Sequence, residues 1–288
     1  MKTLLVIVLS LFCQFAHAKG KDVRFYCLVK IFKNLRQIPP SVSDMVPIKV
    51  HRQQLGKVFD EVHPTQHVIG IPRIIVFKNE ILKSDQDGIL EILADKPIPY
   101  ILGPDGKKWI LDRHHTLYTL QKIYPKLQKR KDLDVSKFQM TYKMLGDYSD
   151  LSQDEFIEKM KSRKFIYPVK QNSETDYHNL PKKLKKLDFD FYRGLAWLVR
   201  KSKAIKKVQI PYFEFIWAQA LKKKFQYEEF EFNETNVREA IRYAMSDTDG
   251  QDKLPGWRPF KTKKTEDKYF SKLDEILELL KEAGYYNP

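Results

Sequence analysis

Hydrophobic and polar positions in the first half of the chain predict a mixture of strands and helices. Residues 97–102 and 108–111 are short apolar runs, and the Gly-Pro-Asp-Gly turn between them predicts a β-hairpin. Apolar residues then recur at helical spacing, and this pattern predicts a helix that begins after Asp112 and stops at Pro125. Residues 71–82 fit a helix with a proline in its first turn, with a strand as the alternative because several of them are β-branched.

The second half has a mainly helical pattern. Ser152 and Glu155 have the spacing of a capping box ahead of an apolar stretch. Further helical patterns cover residues 187–199, 213–221, 236–245 and 269–283. The chain is therefore predicted to be α+β, with a small α/β part over residues 55–145 and a helical region over 146–288. Residues 19–54 are predicted to be an N-terminal arm and linker, with a strand or extended segment at 23–29.

The first 18 residues have the pattern of a secretory signal peptide. A basic start precedes about a dozen apolar residues, and Ala16 and Ala18 supply the small residues that a signal peptidase reads. The apolar run is shorter than the roughly 20 residues of a membrane-spanning helix. We therefore predict cleavage after Ala18 and export to the periplasm or the medium, with no integral membrane segment afterwards. An uncleaved N-terminal anchor is the alternative.

Composition constrains the mature chain further. Loss of the signal would leave Cys27 as the single cysteine, so no internal disulfide is expected. Removing Lys2 lowers the formal charge from +15 to +14, and basic residues are spread along the whole chain. This excess favours an anionic partner such as nucleic acid. A generally basic, solvated surface is the alternative explanation.

The clearest candidate site is the start of the helix after the hairpin. Asp112 is predicted to be the N-cap, which places Arg113, His114, His115 and Thr116 in the first helical turn. Unpaired backbone N–H groups and the helix dipole attract anions there, so this turn is predicted to bind a phosphate or carboxylate. The two histidines would point about 100° apart, so one of them could instead pack or cap.

Other combinations of residues are less specific. His63, His67 and His115 could approach a zinc ion, but no carboxylate or cysteine completes the set, and no metal site is predicted. Trp197 and Trp217 lie at helical positions typical of a core, with a base-stacking surface as the alternative. Charged residues alternate with apolar ones in the same helices. Those expected to reach inward are Arg193, Arg200 and Glu214.

Several motifs in this order resemble the ParB-like nuclease family, a branch of the ParB/sulfiredoxin superfamily. The resemblance covers about residues 55 to 258. In the first half it lies in Pro64-Thr65-Gln66, Gly70, Lys78, Pro97-Ile98-Pro99, Gly103-Pro104-Asp105-Gly106 and Leu111-Asp112-Arg113-His114-His115. In the second half it lies in residues 188–197, Val199-Arg200, residues 214–217 and Leu254-Pro255-Gly256-Trp257. It implies a small ParB/sulfiredoxin-like α/β core with a helical extension.

The resemblance also implies a phosphate-bearing ligand, because superfamily members hold phosphates at the helix start after the equivalent hairpin. The chain departs from sulfiredoxins because this turn contains no cysteine. It departs from partition proteins because Asp112-Arg113-His114-His115 replaces their Gly-Glu-Arg-Arg turn. ATP-driven phosphotransfer is disfavoured for an exported protein.

These expectations lead to a hydrolase hypothesis, most simply phosphodiester hydrolysis. His114 or His115 would serve as general acid or base, with Asp112 in the same turn. Arg113 and the helix N-terminus would stabilise developing charge, and Gln66 and Lys78 would orient the ligand. The alternatives are a non-catalytic module that binds nucleic acid or another polyanion, and a structural envelope protein with a vestigial site. The sequence specifies no cofactor, substrate or oligomeric state.

Overall fold

A five-stranded mixed sheet organises the first half of the molecule. The computed structural model describes residues 45–167, 169–170, 173–174, 177–225, 232–247, 249–258 and 263–287. The predicted signal segment 1–18, the predicted strand at 23–29 and Cys27 lie outside these residues. The strands of the sheet are β1 (Lys49–Gln54), β2 (Val62–Pro64), β4 (Ile98–Leu102), β5 (Lys108–Ile110) and β6 (Gln139–Asp147).

The predicted hairpin lies inside this sheet. The strand order is β1-β6-β4-β5-β2, in which β4 pairs antiparallel with β5 and parallel with β6. Gly106 closes the turn between β4 and β5 with a φ of 69°, and its N–H donates to Gly103 O at 3.0 Å. Strands β1 and β6 were not predicted from the sequence. They pair antiparallel and extend the sheet at one edge.

Helices cover one face of the sheet and bury the first apolar core. The short helix α1 (Leu55–Val58) is followed by α2 (Ile71–Lys83), α3 (Gln86–Ala94) and α4 (His114–Lys129). The helical alternative for residues 71–82 is thus confirmed. The prediction that α4 stops at Pro125 is wrong: the helix continues for another turn, in which Leu127 is fully buried in this core.

The opposite face of the sheet is covered in part by α5 (Gln153–Ser162). Its Phe156, Ile157 and Met160 pack against Ile101 and Trp109 of the hairpin. The predicted capping box is confirmed, because Ser152 accepts from the N–H of Glu155 and Glu155 accepts from the N–H of Ser152. Two short strands follow, β7 (Val169–Lys170) and β8 (Ser173–Glu174).

The remaining residues form the predicted helical part around a second large core. Helices α6 (Phe191–Lys201), α7 (Phe213–Phe225) and α8 (Glu234–Met245) pack together, and Trp197 and Trp217 are almost completely buried among them. Both tryptophans are therefore core residues. The pattern at residues 269–283 is divided between α9 (Lys263–Phe270) and α10 (Asp274–Glu282) by a 3₁₀ turn.

Two short strands, β10 (Phe232–Asn233) and β11 (Tyr286–Asn287), pair in parallel. Within the described residues, no helix is both long enough and apolar enough to cross a bilayer.

The α/β part and the helical part meet at a close backbone contact. Strand β3 (Val68–Ile69) pairs in parallel with β9 (Asp188–Phe189), and each leads directly toward a helix start. A Cβ atom at Gly70 would lie 2.7 Å from the Cα of Gly194, so glycine is required for the two segments to approach this closely. This contact brings the starts of α2 and α6 together beside the start of α4.

Candidate functional site

The helix start after the hairpin differs in one detail from the prediction. Arg113 has a left-handed backbone conformation, with φ 73°, and it occupies the N-cap position of α4 without a side-chain cap hydrogen bond. The Asp112 carboxylate is exposed and accepts from the N–H of Arg113 at 2.6 Å. The prediction that Asp112 caps the helix is therefore wrong. The left-handed conformation of Arg113 turns the chain between Asp112 and the helix, so the carboxylate of Asp112 stays at the surface.

His114 is held inside the protein by the backbone of Thr65. It is 4% exposed, and its Nε2 accepts from the Thr65 N–H at 3.1 Å. The Thr65 hydroxyl donates to Ile110 O at 2.7 Å, which fixes this segment to the end of β5. Burial lowers the pKa of His114 to about 4, against an opposing effect of Asp112. His114 is thus a neutral imidazole that joins two segments, and this geometry favours a structural role.

His115 lies beside the junction of the two parts. Its Nε2 accepts from the N–H of Gly70 at 2.9 Å, so in the neutral ring the proton is on Nδ1. Burial lowers the pKa of His115 well below its usual range, and Arg193 and Arg73 lower it further. His115 is therefore neutral at physiological pH, mainly because it is buried and in addition because the charges of Arg193, Arg73 and Arg200 act on it.

These arginines form a cluster with one buried carboxylate. Glu214, in the first turn of α7, accepts from Arg193 and Arg200 of α6. Burial alone would raise the pKa of Glu214, but the two guanidinium groups outweigh it and the pKa is lowered. Arg73, in the first turn of α2, lies over the Trp197 ring at 5.9 Å and within electrostatic range of Glu214. We call Arg73, His115, Arg193, Arg200 and Glu214 the arginine cluster.

The charges within the arginine cluster do not balance. Three guanidinium groups face one carboxylate and a neutral imidazole, which leaves an excess of about two positive charges in a largely buried place. The side chain of Arg193 is 9% exposed and stacks on Phe215 at 4.9 Å. Its Nε and Nη1 atoms are buried and have no acceptor among the residues that the structure describes. An anion with several oxygens would supply both the charge and the acceptors.

The other predicted site residues occupy different surroundings. Gln66 is buried and donates to Val68 O at 2.7 Å, so it shapes the loop before α2. Thr116 is buried in the first turn of α4, and Arg113 donates through Nε to Pro97 O at 3.3 Å. Lys78 is on the exposed face of α2, five residues after Arg73 and so about 140° around the helix from it.

Sequence reasoning missed Arg73, Thr65 and the acceptor role of His115 toward Gly70. Arg73 carried a usable signal, since it falls in the first turn of a helix that begins at a glycine and a proline. The Thr65 and Gly70 contacts carried none, because they join residues more than forty positions apart. In the described ranges, no three histidine, cysteine or acidic side chains are grouped so that they could hold a metal ion.

Comparison with known proteins gives one family match and one similar solved structure. The family described as "Putative ParB-like nuclease" matches residues 57–223. Among solved structures, the chain is similar to the crystal structure of protein Atu1540 from Agrobacterium tumefaciens, with 24% sequence identity and a TM-score of 0.61. The similarity covers 74% of this chain and 99% of that one, and it supports the fold alone. No curated protein matches the chain.

Proposed function

Because the matched region is more than half of its length, the chain belongs to the ParB-like nuclease family, and we propose that it hydrolyses a phosphodiester bond at the arginine cluster. The substrate is a phosphate-bearing molecule, either a nucleic acid or a nucleotide. The observation that carries the proposal is the buried Arg193 side chain, whose Nε and Nη1 lack a protein acceptor in the described part of the chain. A buried, unpaired donor costs about 1–3 kcal/mol, and a phosphate oxygen would remove that cost.

The proposed chemistry uses residues according to their charge in the folded protein. Arg73, Arg193 and the Nδ1–H of His115 hold the phosphate oxygens and stabilise the charge that develops on them. Both oxygens of Glu214 are engaged by arginines. Asp112 is exposed and interacts electrostatically with Arg73, so it is the carboxylate assigned to proton transfer. Asp112 accepts a proton from the attacking water, the ester P–O bond breaks, and the leaving oxygen takes a proton from solvent.

A pair of alanine variants on one helix tests the proposal. Purified protein is incubated with labelled single-stranded and duplex oligonucleotides, with and without Mg²⁺ or Mn²⁺, and the products are separated by size. Arg73→Ala should reduce cleavage about tenfold or more, the loss expected for one charge-assisted hydrogen bond. Lys83→Ala removes an equal charge from the exposed C-terminal end of the same helix and should cleave like the wild type. Equal activity in both variants would show that the cluster is not the active site.

A second candidate function is binding without catalysis. It is favoured by one observation, the low pKa of His115, because a histidine that stays neutral at pH 7 is a poor carrier of protons. The same assay distinguishes the two functions. Nucleic acid that is retained by the wild type but not by Arg73→Ala, with no cleavage under any metal condition, supports the binding module.

We also propose that the protein acts after export, on the basis of the signal pattern in residues 1–18. N-terminal sequencing of protein from an envelope or culture fraction tests this idea. A mature chain that begins at Lys19 supports export. A mature chain that still begins at Met1 contradicts it.

A further inference from the structure

Two exposed aromatic side chains lie close to the start of α6. Phe189 is 43% exposed and Tyr285 is 45% exposed, and they are the large exposed aromatics among the described residues. The Phe189 ring packs edge-on against Tyr118 at 5.8 Å. Tyr286, the residue after Tyr285, pairs in parallel with Phe232, and the Phe232 ring packs against Phe191 at 4.6 Å, two residues after Phe189. Two rings that come from chain segments almost a hundred residues apart therefore share one surface.

One lysine lies over the Tyr118 ring, and two more precede Phe189 in the chain. The ammonium group of Lys122 lies 5.4 Å from the centre of the Tyr118 ring. The 3₁₀ turn Leu184–Lys186 packs against α4, and it leaves Lys185 and Lys186 exposed shortly before Phe189. We call Phe189, Tyr285, Lys122, Lys185 and Lys186 the aromatic–lysine patch.

The aromatic–lysine patch adjoins the arginine cluster. Tyr118 follows His115 by three residues, so both lie on one side of α4, about 4.5 Å apart along its axis. The backbone of Phe189 pairs with Ile69, which directly precedes the Gly70 that bonds to His115. Phe189 is also four residues before Arg193. A strand bound across the patch would thus be continuous with a phosphate held in the cluster.

We propose that the aromatic–lysine patch binds single-stranded nucleic acid. Unpaired bases stack on Phe189 and Tyr285, and the lysines contact the backbone phosphates between them. Bases of a duplex have their faces covered by their neighbours, so the exposed rings favour a single strand. The inference rests on the proposed function only in placing the scissile phosphate at the arginine cluster. Binding at the patch does not depend on where cleavage occurs.

Fluorescence anisotropy with a labelled 15-residue oligothymidylate tests the proposal in the full chain, at fixed salt and without divalent metal. The double variant Phe189→Ala/Tyr285→Ala should bind more weakly by about fivefold to a hundredfold per ring, the range measured for base stacking on aromatic side chains. The variant Phe189→Trp/Tyr285→Trp keeps both ring faces and should bind like the wild type. Val50→Ala is a matched control, because Val50 is 53% exposed and apolar but lies on the edge strand β1.

The outcomes separate this inference from the proposed function. Weaker single-strand binding in the double alanine variant, with rescue by tryptophan and an unchanged melting temperature, supports the patch whether or not cleavage occurs. Unchanged affinity, failure of the tryptophan rescue, an equal loss for a 15-base-pair duplex, or no single-strand binding by the wild type would overturn it. Loss of cleavage in Arg73→Ala with normal binding of the oligothymidylate would concern the cluster alone.

Discussion

Replacing Glu214 by glutamine should destabilise the fold while increasing its affinity for anions. The substitution keeps the size and shape of the side chain but removes the one negative charge inside the arginine cluster. Arg193 and Arg200, whose side chains are 9% and 18% exposed, would then be buried without a counter-charge. The variant is thus a test of whether this carboxylate balances the cluster in the absence of a ligand.

The expected cost follows from the burial of the three groups. Breaking a buried ion pair by changing one partner costs about 3–5 kcal/mol. Glutamine still offers one oxygen to the arginines, so the lower end, about 3 kcal/mol, is expected. For a protein of this size each kcal/mol lowers the melting temperature by roughly 2–4 °C. The Glu214→Gln variant should therefore melt roughly 6–12 °C below the wild type.

Thermal melting with and without pyrophosphate measures both effects. A ligand that binds only the folded state raises the melting temperature by an amount that grows with the logarithm of its affinity, so pyrophosphate should stabilise Glu214→Gln more than the wild type. Glu158→Gln is the matched control, because Glu158 is 70% exposed in its ion pair with Lys161 and should contribute at most about 1 kcal/mol. Equal melting temperatures of the two glutamine variants, or equal stabilisation of the wild type and Glu214→Gln by pyrophosphate, would contradict this role of Glu214.

Three further predictions concern single residues. The pKa of His114 is about 4 in the folded protein and 6.5 ordinarily, so as the pH falls the unfolded chain takes up the proton first. The free energy of unfolding, measured with urea, should therefore be highest above pH 6.5 and fall by about 3 kcal/mol toward pH 4. In His114→Asn it should depend less steeply on pH. Burial, and after it the nearby arginines, keeps the pKa of His115 well below its usual range, and its Nε2 accepts from the Gly70 N–H. Pyrophosphate binding should therefore protonate no group at His115, and the proton uptake measured by calorimetry in two buffers should be the same in the wild type and in His115→Ala; a smaller uptake in the variant would contradict this. Gly70→Ala should lower the free energy of unfolding by about 1–3 kcal/mol, because its Cβ would lie 2.7 Å from the Cα of Gly194. Gly106→Ala has open space around it and should show only the smaller cost of its positive φ. Equal losses for the two variants in denaturant unfolding would contradict the importance of this packing.

Local signals in the sequence predicted the elements that depend on neighbouring residues. The hairpin, the capping box at Ser152 and the helix after Gly70 each follow from turn chemistry or spacing within a few positions. Strand β6 could have been found in the same way, because Met140, Tyr142 and Met144 alternate with polar residues. Strand β1 lacks this alternation, since it lies at the edge of the sheet and is half exposed.

The details that could not be predicted depend on distant contacts. Asp112 has every property of a cap residue, but the left-handed Arg113 moves the helix start one position further. Pro125 usually ends a helix, but burial of Leu127 in the core extends this one beyond it. The roles of the two histidines were open for the same reason. The backbone donors that fix them, at Thr65 and Gly70, are specified by tertiary packing and not by spacing.

The contact between Gly70 and Gly194 also has a consequence for the order of folding. It joins a loop of the sheet to a helix more than 120 residues later. Because closing so long a loop costs conformational entropy, we expect this contact to form late. Until it forms, Arg73 is separated from Arg193 and Arg200, and the arginine cluster does not exist. Anion binding should therefore appear late in refolding and report on docking of the helical part. A chain that has formed only its sheet and first helices would carry the two histidines but would have no means of holding a phosphate among three arginines.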